Sequence, residues 1–380
     1  MQFQCLAGTS FEFSRFTLPP MKVAVAMSGG VDSSTAAYIL KSQGHEVVGL
    51  SMQMYDNLTN AESTYGGCCT IDDLADARRV AWKLEIPHFT LNLEQNFHEK
   101  VIAPFVQSYL SGMTPSPCVL CNTHVKFDLF HQKAQAIGAE KIATGHYARI
   151  TRAGDGGLEL RKAKDLAKDQ SYFLFELSQQ QLAEAIFPLG EMTKPQVRAV
   201  AAEAGLPVAR KKESYEICFV PQKDGYASIV ERESGVARGE AGGDIVDIDG
   251  NVVGQHDGYY QFTIGQRRGL QAGGNSERTY VIDVNAFTKR VTIGPASALE
   301  RSELIAERVH WISGNTPAET VSLQARVRSR AADVEATVTP LDGGRARVQF
   351  AQKLRAVAPG QAVVFYDGDL CLGGGWIARD

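Results

Sequence analysis

The feature that most constrains this chain is an apolar run, Lys22 to Met27, that passes directly into Ser28-Gly29-Gly30-Val31-Asp32-Ser33-Ser34 and then into an Ala-rich segment from Thr35. It reads as a strand, a loop and a helix. Glycines in such a loop let backbone N–H groups approach an anion without a Cβ in the way, the serines add hydroxyl donors, and the helix N-terminus adds a favourable dipole. The loop is therefore suited to phosphate. It lacks the Gly-Lys-Ser/Thr ending of one nucleotide loop and the Gly-x-Gly-x-x-Gly of dinucleotide folds, so neither kinase-like phosphoryl transfer nor hydride transfer is indicated.

The alternation of strand-like and helix-period segments continues to about Gly145, as expected of strands joined by crossover helices in a parallel sheet. Val47 to Met52 reads as a second strand. Asp72 to Leu84 carries Leu74, Ala77, Val80, Ala81 and Leu84 at helical spacing, Pro87 stops it, and His88 to Leu91 resumes as a strand. Lys141 to Thr144 gives a further strand. From Gln180 to Gly205 the pattern is helical, with Pro195 as a start signal and Gly205-Leu206-Pro207 as a stop.

Beyond Tyr226 the texture changes to short β-rich runs between Gly, Asp and Asn clusters: Gly242-Gly243-Asp244, Asp249-Gly250-Asn251, Gly273-Gly274-Asn275, Asp342-Gly343-Gly344 and Asp367-Gly368-Asp369. These predict hairpins. Val321 to Val327, Val334 to Val338, Arg345 to Phe350 and Ala362 to Tyr366 predict strands of a small barrel. A chain of 380 residues exceeds what one core organises. The expected division is an extension at 1–20, an α/β doubly wound nucleotide domain at 21–225, a central β domain at 226–298 and a β-barrel at 299–380.

With 44% hydrophobic and 22% charged residues the composition is that of a globular protein. No apolar stretch approaches the ~20 residues of a membrane span. The first twenty residues lack the features of a secretory signal, and translation from Met21 is left open. Seven cysteines then imply reduced thiols in a cytoplasmic protein. A net charge of −4 gives no global attraction to nucleic acid, so any RNA contact must come from local basic patches.

Two of the cysteines stand three apart in Thr114-Pro115-Ser116-Pro117-Cys118-Val119-Leu120-Cys121-Asn122, at the start of a helix, where a thiolate is stabilised. Another, Cys218, follows the basic run Arg210-Lys211-Lys212, which could stabilise it likewise. Half of a zinc site is the alternative for Cys118 and Cys121, but no second pair with suitable spacing follows. Cys68 and Cys69 read as buried sheet thiols, Cys5 and Cys371 as ordinary ones.

The loop at Ser28 to Ser33 matches the pyrophosphate loop, Ser-Gly-Gly-x-Asp-Ser, of enzymes that split ATP between the α and β phosphates. Together with Pro117-Cys118-x-x-Cys121-Asn122, Ala143-Thr144-Gly145-His146-Tyr147, Lys168-Asp169-Gln170-Ser171-Tyr172 and Ile217-Cys218-Phe219, it makes the chain resemble the tRNA-specific 2-thiouridylase family. The match runs from Met21 to near the C-terminus, and includes Tyr259 to Leu270 and Ala358 to Ala362.

The resemblance implies ATP-dependent thiolation at C2 of the wobble uridine of Glu, Gln and Lys tRNAs, with Mg2+ accompanying the ATP. It implies that Ala26, Met27, Ser28, Gly29, Gly30, Val31, Asp32, Ser33, Met52 and Gly145 bind ATP. Cys218 would carry a persulfide received from an upstream sulfur carrier or cysteine desulfurase. Cys121 would be the nucleophile that releases the sulfur by forming a disulfide with Cys218. Ser116, Pro117 and Cys118 would surround the flipped base. His146, Lys168, Asp169, Gln170, Arg328, Ser329 and Gln361 would contact tRNA.

One tRNA engaging all modules favours a monomer. Arg326, Arg328 and Arg330 alternate on a predicted strand, where they form either a phosphate-binding stripe or a charged edge. Many relatives carry Asp at the position of Cys118 and often Tyr at that of Ser329. The first difference puts an acid–base role in doubt and opens an alternative in which Cys118, Cys121 and Cys218 ligate a [4Fe–4S] cluster. A different pyrophosphate-loop ligase, or an RNA-binding or metal-sensing module keeping a relic loop, are the competing classes.

Overall fold

The computed structural model describes residues 19–55, 70–213, 217–221, 223–270 and 278–379. Cys5, Cys68, Cys69, the Gly273-Gly274-Asn275 turn and nearly all of the extension lie outside the described residues.

The first sheet contains β1 (Lys22–Ala26), β2 (Glu46–Gln53), β3 (His88–Asn92) and β4 (Lys141–Ala143). Two further strands, β5 (Ala148–Arg152) and β6 (Leu158–Lys162), form a hairpin, and β7 (Ala185–Ile186) returns to the first sheet. Its order is β3-β2-β1-β4-β7, and every pairing is parallel. β1 is buried on both faces, as a central parallel strand requires, which explains why Val23-Ala24-Val25-Ala26 reads as an unbroken apolar run. Helix Val31–Ser42 follows the loop, and helix Ile71–Lys83 opens on a capping box between Thr70 and Asp73.

The helical stretch expected at 180–205 comprises two helices, Gln179–Glu184 and Lys194–Glu203, the second starting where Thr193-Lys194-Pro195 signals it, with β7 between them. Phe187-Pro188-Leu189-Gly190 breaks the helix. A Cβ on Gly190 would stand 2.0 Å from the Ala148 carbonyl oxygen, so the chain passes too close to β5 for any other residue. The region after Tyr226 also begins differently from the β texture expected: Gly225–Ser234 is a helix, ended by Gly235 at φ +71°. Its Ile229 and Val230 join the core that contains Cys121 and that Cys218 packs against, and Tyr226 stacks on Tyr109 at 4.3 Å.

The central sheet combines β8 (Gly243–Val246), β9 (Val252–His256), β10 (Tyr280–Asn285) and β11 (Arg290–Gly294) in the order β10-β11-β8-β9. Asp249-Gly250-Asn251 turns between β8 and β9 as expected. Gly242-Gly243-Asp244 does not form a hairpin turn; Gly243 starts β8, where its missing Cβ leaves room for the Lys289 carbonyl.

The last strands are β12 (Glu300–Trp311), β13 (Val321–Arg326), β14 (Val334–Leu341), β15 (Arg345–Arg355), β16 (Ala362–Asp367) and β17 (Leu370–Ile377). β12 pairs with both β15 and β17 and closes these six into a barrel. The β5–β6 hairpin adds to it, because Arg161 and Leu160 of β6 pair with Leu370 and Cys371 of β17. The turns at Asp342-Gly343-Gly344 and Asp367-Gly368-Asp369 fall where expected.

The arginine stripe is corrected. β13 ends at Arg326, and Arg328 and Arg330 lie in the bend and turn beyond it, where side chains no longer alternate. Arg326 itself turns inward to Asp333 (2.6 Å) and Asp169 (3.2 Å).

Candidate functional site

In an open parallel sheet, ligands settle at the carboxyl ends of the strands where the order reverses direction. Here that place lies between β1 and β4: β2 and β3 extend to one side of β1, β4 and β7 to the other. The loop Met27 to Gly30 leaves β1 at this point, and Thr144-Gly145-His146 leaves β4. Gly29 adopts φ +70°, and a Cβ there would stand 2.1 Å from the Asp73 carbonyl oxygen. A Cβ on Gly145 would stand 2.7 Å from the Ser33 backbone nitrogen. The two glycines thus let the loop sit between the start of helix Ile71–Lys83 and the end of β4.

Gly30 is the N-cap of helix Val31–Ser42 with no side-chain cap bond, an arrangement that suits an anion. The Ser33 hydroxyl lies 3.2 Å from both the backbone nitrogen and the hydroxyl of Ser28, which folds the loop on itself. Met52, buried in β2, and Ala26 and Met27 stand at the same carboxyl edge.

Charge at the loop is arranged by residues whose roles sequence reading missed. Lys194, 7% exposed, brings its ammonium to 2.7 Å and 2.8 Å from the two Asp32 oxygens and 2.7 Å from Glu213. Tyr147 donates its phenol hydrogen to Asp32 at 2.8 Å, and burial beside that carboxylate pushes the Tyr147 pKa up. Glu213 also meets Lys168 at 2.6 Å. Lys211 donates to Asp73 (2.6 Å), Asp76 (2.5 Å) and the Gly29 carbonyl (3.1 Å). The basic run preceding Cys218 therefore serves the loop through Lys211. Thr193-Lys194-Pro195 was legible only as a helix start; Lys194 is the helix's first residue, and nothing local marks it as the partner of Asp32.

The cysteine segment enters its helix as expected, with Ser116 at the N-cap and Pro117 in the first turn. Ser116 and Pro117 are buried, Cys118 is exposed and Cys121 is buried. From Cys121 to Leu129 the helix widens to π geometry, which is common at functional sites. Cys121 belongs to the same apolar cluster that Cys218 packs against. Phe219 holds the latter in place, its ring edge-on to Phe97 (5.6 Å) and Phe105 (5.0 Å), while Tyr55 donates its hydroxyl hydrogen to the Cys218 carbonyl at 3.2 Å.

Three family profiles match the chain: a tRNA methyl transferase HUP domain at residues 21–222, a tRNA methyl transferase PRC-barrel domain at 236–295, and an aminomethyltransferase β-barrel domain at 301–377. A tRNA-specific 2-thiouridylase MnmA of Geotalea uraniireducens is 51% identical, over 94% of this chain and 94% of the relative. Those of Geobacter metallireducens and Solibacter usitatus are 49% and 46% identical, over 94% and 95% of this chain and 96% and 100% of theirs. This chain belongs to the tRNA-specific 2-thiouridylase family. It is accordingly a sulfurtransferase enzyme.

Against that family's chemistry, the residues expected to meet tRNA are variously placed in this thiouridylase. Arg328 is exposed, its guanidinium 3.3 Å from the Arg355 carbonyl, and Ser329 is half-buried in the adjoining turn. Gln361 donates its amide to the carbonyls of Thr114 (3.1 Å) and Pro115 (2.8 Å). Asp169 accepts from the backbones of Ala163 and Ser171 and from Arg326, and Gln170 accepts from the Tyr147 backbone at 2.9 Å. His146 is buried between Phe127 and Phe187, with Nδ1 2.7 Å from the Thr144 hydroxyl. Burial and the nearby Lys126 hold its pKa well below 6.5.

Among the described residues no three His, Cys, Asp or Glu side chains converge closely enough to hold a metal ion. Cys118, Cys121 and Cys218 as placed here do not form the thiolate face of a cluster. No described helix is long and apolar enough to cross a membrane.

Proposed function

We propose that this thiouridylase thiolates C2 of the wobble uridine in Glu, Gln and Lys tRNAs, using ATP to activate the base and a cysteine persulfide to supply sulfur. The observation that carries this reading is the pairing, in one nucleotide domain, of a phosphate loop at the sheet's switch point with Cys121 and Cys218 on one apolar cluster.

In the proposed reaction the uridine O2 attacks the ATP α phosphorus and pyrophosphate leaves against Ser28, Gly29, Gly30, Val31, Asp32 and Ser33. Oxygen on C2, otherwise a poor leaving group, is thereby converted to one that departs as AMP. Mg2+ would be held chiefly by the triphosphate, with Asp32 as the loop's carboxylate. Met52 and Gly145 line the adenosine. The terminal sulfur of a Cys218 persulfide attacks C2 and expels AMP. Cys121 thiolate then attacks the Cys218 sulfur, leaving 2-thiouridine and a Cys121–Cys218 disulfide that a cellular thiol reduces. Ser116, Pro117 and Cys118 surround the flipped base, and Cys118, exposed in the first helical turn, is the group available to handle a proton there.

The persulfide route is preferred to a cluster because the three thiols do not converge. We assign the nucleotide domain to 21–225, the central β domain to 226–298 and the barrel to 299–380, acting as a cytoplasmic monomer on one tRNA with a sulfur-carrier or desulfurase donor. Nucleosides of tRNA from a strain lacking the gene and carrying wild type, Cys121→Ala or Cys218→Ala test the reading by mass analysis. Neither variant is expected to restore 2-thiouridine; full restoration by either overturns the assignment. Iron-free protein handled without oxygen is expected to keep its thiolation.

A further inference from the structure

The segment that carries Cys118 and Cys121 is fastened at both ends, and both fastenings lead to the barrel. At its front, the Thr114 backbone donates to the Pro359 carbonyl at 2.8 Å, beside the Gln361 bonds already described. A Cβ on Gly360 would stand 2.9 Å from the Thr114 carbonyl oxygen, so the two chains touch. At its back, Thr123, two residues past Cys121, lies with its hydroxyl 3.0 Å from one carboxylate oxygen of Glu176. The other Glu176 oxygen accepts the indole N–H of Trp376, in β17, at 2.7 Å.

The chemistry of this bridge is specific. An indole N–H only donates, and the Thr123 hydroxyl has one hydrogen, which it divides between Glu176 and the Val119 carbonyl at 3.1 Å. A carboxylate accepts from both donors and, being charged, is the stronger acceptor. Trp376 is fixed in turn: it is 6% exposed, packs edge-on against Phe175 at 6.3 Å and has the Arg308 guanidinium 4.9 Å above its ring. The backbone around Thr123 is held further where Gln181 donates to the Phe127 carbonyl at 3.2 Å and Asn122 donates to the Phe173 carbonyl at 2.9 Å. Glu176 is the member of this set that reaches the barrel.

We infer that Glu176 is a positioning residue for sulfur transfer: by tying Thr123 to Trp376 it lets the docked barrel fix the turn that holds Cys121. The inference rests on Cys121 being a working thiol, as proposed above. Proper attack geometry between two sulfurs is sensitive to small displacements, and a shift of about 1 Å costs as much as a hundredfold in rate. Glutamine can preserve the bridge, accepting from Trp376 through its oxygen and donating through its amide to the Thr123 oxygen, whose own hydrogen then goes to Val119. Alanine removes both links.

The test uses the full chain with tRNA, ATP and a persulfide donor, measuring kcat and KM for tRNA, the rate of Cys121 alkylation by iodoacetamide mapped by mass spectrometry, and the thermal midpoint. Glu176→Ala is expected to lower kcat about tenfold with KM for tRNA changed by less than about twofold and Cys121 alkylation altered. Glu176→Gln is expected to restore kcat to within about twofold of wild type. Trp376→Phe should reproduce the Glu176→Ala defect, and the double variant should be no worse than either single, since one bridge is lost in each case. Trp376→Phe carries the same expectation where Glu176→Ala does not fold.

Unchanged kcat and unchanged alkylation in Glu176→Ala overturn the inference, as does a glutamine variant as impaired as the alanine. Cys121→Ala, run alongside, separates the two ideas. Its retained activity overturns the persulfide reading, whereas its loss of activity together with a fully active Glu176→Ala overturns the positioning role alone.

Discussion

Lys194 grips both carboxylate oxygens of Asp32, at 2.7 Å and 2.8 Å, across 162 residues of sequence. The pair joins the first helix of the nucleotide domain to its last, and Tyr147 and Glu213 complete it. A buried ammonium is tolerated only when carboxylates compensate its desolvation. Lys194→Met keeps the stem and removes the charge, taking away the cation that faces Asp32, while Glu213 keeps Lys168. We expect a loss of about 3 kcal/mol in unfolding stability, read by urea titration. We also expect at least an order-of-magnitude rise in KM for ATP, read by tRNA-dependent AMP formation. Adding Asp32→Asn should recover stability without recovering turnover.

The loop's shape admits a cleaner steric test. Gly29 combines φ +70° with a Cβ position 2.1 Å from the Asp73 carbonyl oxygen, whereas Gly44, at φ +89°, has nothing within 4 Å. Both positions disfavour a side chain by backbone conformation, at about 1 kcal/mol. Only Gly29 adds a collision with backbone. Gly29→Ala is expected to abolish the rise in thermal midpoint that ATP confers, and Gly44→Ala to keep it.

Barrel docking rests on charges of unequal exposure. Asp333, 18% exposed as a side chain, holds Lys162 at 2.5 Å and Arg326 at 2.6 Å, and Asp369, 43% exposed, holds Arg149 at 2.6 Å and Arg161 at 2.5 Å. Solvent screens the second set, so Asp369→Ala is expected to cost no more than about 1 kcal/mol and to lose its effect in high salt. Asp333→Ala leaves two cations facing each other and should cost about 3 kcal/mol, little changed by salt. Equal salt dependence of the two variants in urea titration would contradict this ranking.

What could be read from the sequence was local. The strand run before Ser28, the helical spacing from Leu74 to Leu84 and the turns at Asp342-Gly343-Gly344 and Asp367-Gly368-Asp369 all announce elements through neighbouring residues, and these were placed to within a residue or two. The hairpin β5–β6 carries its own signal, Leu158 and Leu160 alternating with Glu159 and Arg161 after a Gly-Asp-Gly-Gly turn, and was overlooked. Its attachment to β17 has no local sign, because Arg161 finds Asp369 208 residues away. The Arg326 alternation misled for a related reason: pattern shows which side a residue faces, while Asp169, distant in sequence, determines whether that side is solvent. In the candidate site the loop and cysteines were visible as motifs. Lys194 was visible only as part of a helix start and Lys211 only as part of a basic run before Cys218, since a lysine's partner is revealed only when the fold brings carboxylates to it.

His146 makes stability depend on pH in a calculable direction. Its ring is buried against Phe127 and Phe187, its Nδ1 is engaged by Thr144, and Lys126 repels a positive charge there, so its pKa in the folded chain lies well below 6.5. Unfolded, the ring titrates at its ordinary value. Between the folded and unfolded pKa values the unfolded state therefore binds more protons, and stability rises with pH through that window. The contribution is complete above 6.5 and is lost progressively below it, approaching about 1.4 kcal/mol for each pH unit. Burial lowers His88 and His256 in the same sense, so the slope of the whole chain exceeds that of His146 alone. Urea midpoints measured from pH 7.5 to 5.0 are expected to fall with acidification. His146→Gln, which takes up no proton, should fall less steeply by the share of one histidine; a slope equal to that of wild type would show that His146 is protonated in the folded chain.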